Sequence, residues 1–177
     1  PNDLQKTTEQ SLSIIDIILT SLNSNLSEKE FKNCFLISIV KEALNDYPLT
    51  SKEKKIINFN EKLDFEVYGN PFLLKHVIFN LMKNSLYYIK VAGKGEIYIW
   101  SEKEQSCNKL YFKDTGKGMT KEMVKQVFDD FFSKTDYGTG IGLSFCKKVI
   151  KDMNGKIECS AVEGEYVQFV LTFPKLK

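Results

Sequence analysis

Arginine occurs at none of the 177 positions, and histidine occurs once, at residue 76. The 25 basic residues are therefore all lysines, set against 23 acidic ones for a formal charge of +2. Without arginine the bidentate contact to guanine cannot be made, and a near-balanced charge creates no field that draws a protein onto a polyanion. Nucleic acid is not an expected partner. One histidine removes every zinc pattern that pairs histidines. The four cysteines, Cys34, Cys107, Cys146 and Cys159, are scattered with no C-x-x-C pair, and read as reduced thiols rather than as staples or metal ligands. No apolar run approaches the roughly 18 residues of a membrane span, and no signal peptide opens the chain. Because it begins at Pro1 without Met, the chain is expected to be a piece of a longer protein. Chemistry must come from carboxylates, carboxamides, lysines and backbone.

What is present is enough for a core: 42% of residues are hydrophobic and 12% aromatic, a composition that fits one domain plus an appendage. The appendage is residues 1–25, where Leu4, Thr8, Leu12, Ile15, Leu19 and Leu22 follow one another in steps of three or four like a coiled-coil seam. Residues 26–177 read as one α/β unit. Strands are expected at 31–37, 56–60, 65–68, 96–101, 109–113, 156–161 and 166–173. Helices are expected at 38–47, with Ser38 as N-cap, and at 71–91, 121–128 and 142–154. The helix at 71 carries the clearest start signal, Asn70 followed by Pro71.

Four segments carry chemistry. On the long helix Asn80 and Asn84 stand four apart and project from one face of a mostly apolar stretch, HVIFNLMKNSLYYI. A buried carboxamide is costly unless satisfied, and its oxygen is a neutral hard ligand suited to Mg²⁺. The loop DTGKGM, Asp114 to Met119, follows a strand and fixes a carboxylate at the strand end, where it can accept from an exocyclic amine, while the glycines admit close approach to the backbone. The loop GTGIGL, Gly138 to Leu143, leads straight into a helix; alternate glycines expose N–H groups and the helix terminus adds partial positive charge, an arrangement suited to phosphate. Its spacing is neither that of a dinucleotide fold nor that of a P-loop. Between the two loops lies VFDDFFSK, whose Lys134 could meet a terminal phosphate.

In this order the four segments resemble the ATP-binding catalytic domain of sensor histidine kinases, in the ATPase superfamily shared with gyrase, MutL proteins and Hsp90 chaperones. NPFLLKHVIFNLMKNSLYY is similar to the N box, DTGKGM to the first glycine box, VFDDFFSK to the F box and GTGIGL to the second glycine box; the match spans about residues 30 to 174. The segment LMKNSLYYI bears a fainter resemblance to quorum-sensing hybrid kinases. The resemblance implies a two-layer α/β sandwich of the Bergerat type, a mixed sheet of about five strands with helices on one face, preceded here by an N-terminal helix. It implies ATP and Mg²⁺ as cofactors. Asn84 would hold the metal and Asn80 line the phosphates. Asp114 would accept from the adenine amine, with Gly116, Gly118 and Met119 beside the base and Tyr88 stacked on it. Gly138, Gly140 and Gly142 would cradle phosphates, with Thr139 and Ile141 between them also counted as nucleotide-binding, Leu143 would pack near adenine, and Lys134 would face the γ-phosphate. Tyr87 stands where a phosphate-binding lysine is common; Lys83 is the substitute within reach.

Hydrolysing members of that superfamily place a Glu four residues before the metal-binding Asn, where it orients the attacking water. Here that position is Asn80, which favours delivery of the phosphoryl group to an external nucleophile. A histidine in an acceptor segment is missing, since His76 lies inside the N-box helix. Residues 1–25 are similar to the end of a second dimerisation helix. The implied partners are a dimerisation domain carrying the phosphoacceptor histidine, a second copy in a homodimeric parent, and a response-regulator receiver domain. The implied location is cytoplasmic, with a parent anchored in the inner membrane as one arrangement. Two alternatives are a degenerate nucleotide-binding docking module and an ATP-hydrolysing switch.

Overall fold

The computed structural model describes residues 30–132 and 140–176. The seam of residues 4–22 lies outside them, as do Ser133, Lys134, Gly138 and Thr139. A five-stranded mixed sheet forms the body. Its strands are β2 (Ile57–Phe59), β4 (Ile97–Lys103), β5 (Cys107–Asp114), β6 (Lys156–Val162) and β7 (Tyr166–Pro174), in the order β2-β4-β5-β7-β6. β2 runs parallel to β4, and every other pairing is antiparallel. β1 (Lys32–Phe35) and β3 (Glu66–Gly69) form a separate two-stranded antiparallel ribbon.

Period-two alternation decides which face of the sheet is covered. Ile97 and Ile99 of β4, Leu110 and Phe112 of β5, and Val167, Phe169, Leu171 and Phe173 of β7 all point into the helix layer and are buried. Their neighbours point the other way, and there Trp100 and Tyr111 stack with ring centroids 4.8 Å apart. The helix layer is α1 (Leu36–Asp46), α3 (Pro71–Ala92) and α5 (Gly142–Asp152), with α3 packed against both others. Two short helices, α2 (Ser51–Lys55) and α4 (Lys121–Gln126), lie in the connections. Among the described residues, no helix is long and apolar enough to cross a membrane. The four cysteines are free.

α3 starts and stops where its sequence says. The Asn70 side chain accepts from the backbone N–H groups of Phe72 at 2.9 Å and Leu73 at 3.2 Å, Pro71 occupies the first turn, and Gly93 ends the helix in the left-handed region at φ 66°. Two expectations need correction. The first helix begins at Leu36, not after a cap at Ser38, and Phe35 is its N-cap residue without any side-chain cap. The missing acceptor comes from a distant part of the chain: Asp64 Oδ1 accepts from Ile37 N–H at 2.9 Å, and Phe65 O accepts from Leu36 N–H at 3.0 Å. The second correction is α2, which the sequence reading passed over. It carries a full capping box between Thr50 and Glu53 but buries no residue, so it has no apolar stripe to announce it.

Candidate functional site

The site forms where the C-terminal half of α3 meets the end of β5. Residues four apart on α3 make adjacent stripes. Val77, Leu81, Ser85 and Ile89 are buried against the sheet. Asn80 is buried beside them, while Asn84 and Tyr88, one and two turns on, are half-buried. The Asn80 side chain donates from Nδ2 to the His76 carbonyl at 3.1 Å, so its amide nitrogen is engaged with the preceding turn of its own helix. Asn84 keeps a partly accessible carboxamide, the donor chemistry a hard cation needs. The Tyr88 ring meets the Tyr87 ring edge-on at 5.1 Å, and Tyr87 and Lys83 are half-buried on the same half of the helix.

Facing this half-helix is Asp114, the last residue of β5, 3% exposed. Its Oδ2 accepts from the Ser85 hydroxyl at 2.8 Å and its Oδ1 from the Gly116 backbone N–H at 3.1 Å. Burial pushes its carboxyl above the ordinary range, and these two donors pull it partway back. The glycines after it are closely packed, Gly118 most of all. A Cβ on Gly116 would stand 3.0 Å from the Ile89 backbone nitrogen. Gly118 has φ 69°, and a Cβ there would stand 2.0 Å from the carbonyl oxygen of Val162. The loop is tied down further by Gly164 N–H donating to Lys117 O at 2.7 Å, and by the Thr115 hydroxyl accepting from Glu96 N–H at 2.9 Å. Met119 is buried just before Thr120 caps α4.

The described part of the second glycine segment leads into α5. Gly140, at φ 68°, lies so close to Phe131 that a Cβ would come within 2.3 Å of that residue's carbonyl carbon. The F-box segment and the glycine loop therefore touch at Phe131 and Gly140. Ile141 is the N-cap residue of α5, Gly142 its first residue, and Leu143 is half-buried against the core. The structure joins α3 to the end of β5 through Ser85 and Asp114 and packs Gly116 on Ile89; Asn80, Lys83, Asn84, Tyr87 and Tyr88 lie along the same helix, Gly118 packs on the β6–β7 turn, Met119 is buried before α4, and Gly140, Ile141, Gly142 and Leu143 lie at the start of α5. Lys134, Gly138 and Thr139 lie outside the described residues. Ser85 was not among the expected site residues. A serine beside an asparagine in a helix carries no signal until the strand opposite is known. His76 is elsewhere, buried between the rings of Phe72 and Phe79 at centroid distances of 4.6 and 5.5 Å.

A buried carboxylate held by two donors, closely packed glycines and carboxamides on the facing helix thus lie in a two-layer α/β sandwich. The comparisons specify it. The model of the histidine kinase-, DNA gyrase B- and HSP90-like ATPases matches residues 69–177, and the chain belongs to that family. The catalytic domain of histidine kinase ThkA superposes with a TM-score of 0.67 at 30% identity, covering 82% of this chain and 98% of that one. The mycobacterial sensor histidine kinase MprB, at 17% identity and a TM-score of 0.69, shares the fold. In sequence, the chain is 31% identical over 164 residues to the CAI-1 autoinducer sensor kinase/phosphatase CqsS of Vibrio cholerae, which covers 91% of this chain and 24% of that protein. It is 33% identical over 174 residues to the autoinducer 1 sensor kinase/phosphatase LuxN of Vibrio campbellii, covering 96% of this chain and 20% of that protein. The chain therefore spans a quarter or less of these relatives. It is a histidine kinase-type ATPase domain, and ATP is the nucleotide such a domain binds.

Proposed function

We propose that this domain binds ATP with Mg²⁺ and transfers the γ-phosphoryl group to a histidine on a dimerisation domain, which passes it to a receiver aspartate of a response regulator. Asp114 accepts from the adenine amine, with Gly116, Gly118 and Met119 along the base, Tyr88 stacked on it and Leu143 packed nearby. Asn84 holds Mg²⁺, and Asn80 lines the phosphate region. Gly138, Thr139, Gly140, Ile141 and Gly142 present backbone N–H groups to the phosphates. Lys134 meets the γ-phosphate, and Lys83 and Tyr87 flank the chain of phosphates. Mg²⁺ bound there neutralises charge on the phosphate oxygens. Catalysis by this chain is positioning and charge stabilisation. The parent is a homodimer acting on the cytoplasmic side of a membrane, as a sensor kinase, and residues 1–25 are the end of its second dimerisation helix.

The observation that favours phosphoryl transfer over hydrolysis is Asn80. It occupies the position four residues before Asn84, it is buried, and its amide nitrogen donates to the His76 carbonyl. A carboxamide cannot take a proton from water as a carboxylate does. His76, 5% exposed and enclosed by two aromatic rings, is not placed to receive a phosphoryl group. The test is incubation with γ-labelled ATP and Mg²⁺, with and without an added dimerisation domain. Label on a histidine of the added domain, negligible release of inorganic phosphate by this chain alone, and loss of labelling in Asn84→Ala are expected. Steady Mg²⁺-dependent phosphate release by this chain alone would make it a hydrolysing switch, and absence of any nucleotide binding would make it a docking module.

A further inference from the structure

Position 85 belongs to the α3 stripe Val77, Leu81, Ser85 and Ile89, whose other members are aliphatic and buried. A hydroxyl in such a stripe must place its proton on an acceptor or lose a hydrogen bond. In a helix the nearest acceptor is the carbonyl one turn back. Ser85 instead reaches across the layer to Asp114 Oδ2 at 2.8 Å. The second carboxylate oxygen accepts from Gly116 N–H at 3.1 Å, so the group is oriented by donors from two different elements.

Both donors favour the ionised carboxylate, which is an acceptor only. That distinction is the one a purine site needs. An acceptor-only carboxylate matches the 6-amino group of adenine, whereas a protonated carboxyl also carries a donor and can serve the 6-oxo group of hypoxanthine or guanine. The Cys159 thiol of β6 feels the Asp114 charge. Burial, and then the Asp114 charge, push that thiol up to about 12, so it stays neutral and leaves the carboxylate to its two donors.

We propose that Ser85 is a positioning residue that sets base specificity: its hydroxyl holds Asp114 in the orientation and acceptor-only form that selects a 6-amino purine over a 6-oxo purine. This rests on Asp114 being the adenine acceptor. Titration calorimetry with ADP and with inosine 5′-diphosphate, on the whole chain, separates the two. Ser85→Ala is expected to reduce the preference for ADP over the inosine nucleotide by about tenfold, the scale of one hydrogen bond to a charged group. Ser85→Cys, close in volume but a weak donor, is expected to follow Ser85→Ala. A preference kept by Ser85→Cys and lost only in Ser85→Ala assigns the position to packing and overturns the proposal. A preference unchanged in both variants while Asp114→Asn collapses it overturns the role of Ser85 and leaves Asp114 standing. A preference that survives Asp114→Asn overturns the reading of Asp114 and the role of Ser85 with it. Thermal unfolding of each nucleotide-free variant identifies any loss that comes from misfolding.

Discussion

His76 and Asp114 are both buried titratable groups beside α3, one near its start and the other facing its C-terminal half, and their surroundings differ in kind. His76 sits between Phe72 and Phe79, its Nδ1 is buried without a hydrogen-bond partner, and burial, followed by the Lys75 charge, lowers its pKa from the ordinary value of 6.5. Asp114 is as buried, yet each of its oxygens has a donor. The first group is neutral and merely tolerated as filling. The second is pushed up by burial and pulled partway back toward the ionised form by a hydroxyl and a backbone N–H. Buried polar groups are informative through their partners: an orphan marks packing, and a supported charge marks a site.

The largest expected effect comes from the loop that fixes the supported group. Gly118→Ala would set a side chain at φ 69° and drive a Cβ to 2.0 Å from the Val162 carbonyl oxygen, which is backbone and cannot swing away. A loss of about 2–4 kcal/mol in unfolding free energy is expected, from left-handed strain plus the steric displacement of the β6–β7 turn. Chemical denaturation measures it, and nucleotide affinity should fall along with it as Asp114 loses its frame. A variant as stable as the parent would show that the loop moves freely, and the contrast with the His76 end would lose its basis.

How much of this was readable in advance follows from where each signal is stored. The start of α3 is written locally, in Asn70 and Pro71, and it was legible. The start of α1 is not, because its capping acceptor is Asp64, 27 residues downstream of Ile37, and Ser38 offered a local decoy. Asp114 and its glycines announced themselves by spacing, and the strand end duly buries the carboxylate. Ser85 could not be read, since its meaning lies 29 residues away in Asp114. The separate ribbon of β1 and β3 was likewise hidden: both segments read as strands, but their withdrawal from the main sheet is a matter of pairing.

Acid should pull the two buried groups in opposite directions. The Asp114 pKa lies above its ordinary 3.8, so the folded protein takes up this proton before the unfolded chain does. Its contribution to stability is therefore largest at low pH and declines as pH rises from about 3.8 through the raised value. Adenine nucleotide affinity has the reverse dependence, because the acceptor is lost on protonation: below the raised pKa it should fall by up to about tenfold per pH unit. For His76 the folded value is lowered, so the unfolded chain takes up the proton first. Its contribution is present above 6.5 and is lost as pH falls from there through the folded value. Nucleotide affinity and unfolding free energy measured across pH 4 to 7.5, roughly the span of both ordinary values, check this, with Asp114→Asn removing the Asp114 part of each curve. An affinity that stays flat to the ordinary carboxylate range would deny Asp114 its role as acceptor.

The smallest effect is expected at the orphan. His76→Leu replaces a buried ring, whose Nδ1 has no partner, with an aliphatic side chain in an environment that is already aromatic and apolar. The backbone carbonyl that accepts from Asn80 is kept. Removing an unsatisfied buried atom offsets the volume lost, so the change in stability near neutral pH should be within about 1 kcal/mol and toward the stable side. The acid sensitivity below pH 6.5 should shrink. Nucleotide affinity, read in the same calorimeter, should not change, because the site begins a full turn further along the helix. A marked loss of affinity on this substitution would mean that the two ends of α3 are coupled, and that the orphaned nitrogen serves the nucleotide site through Asn80 after all.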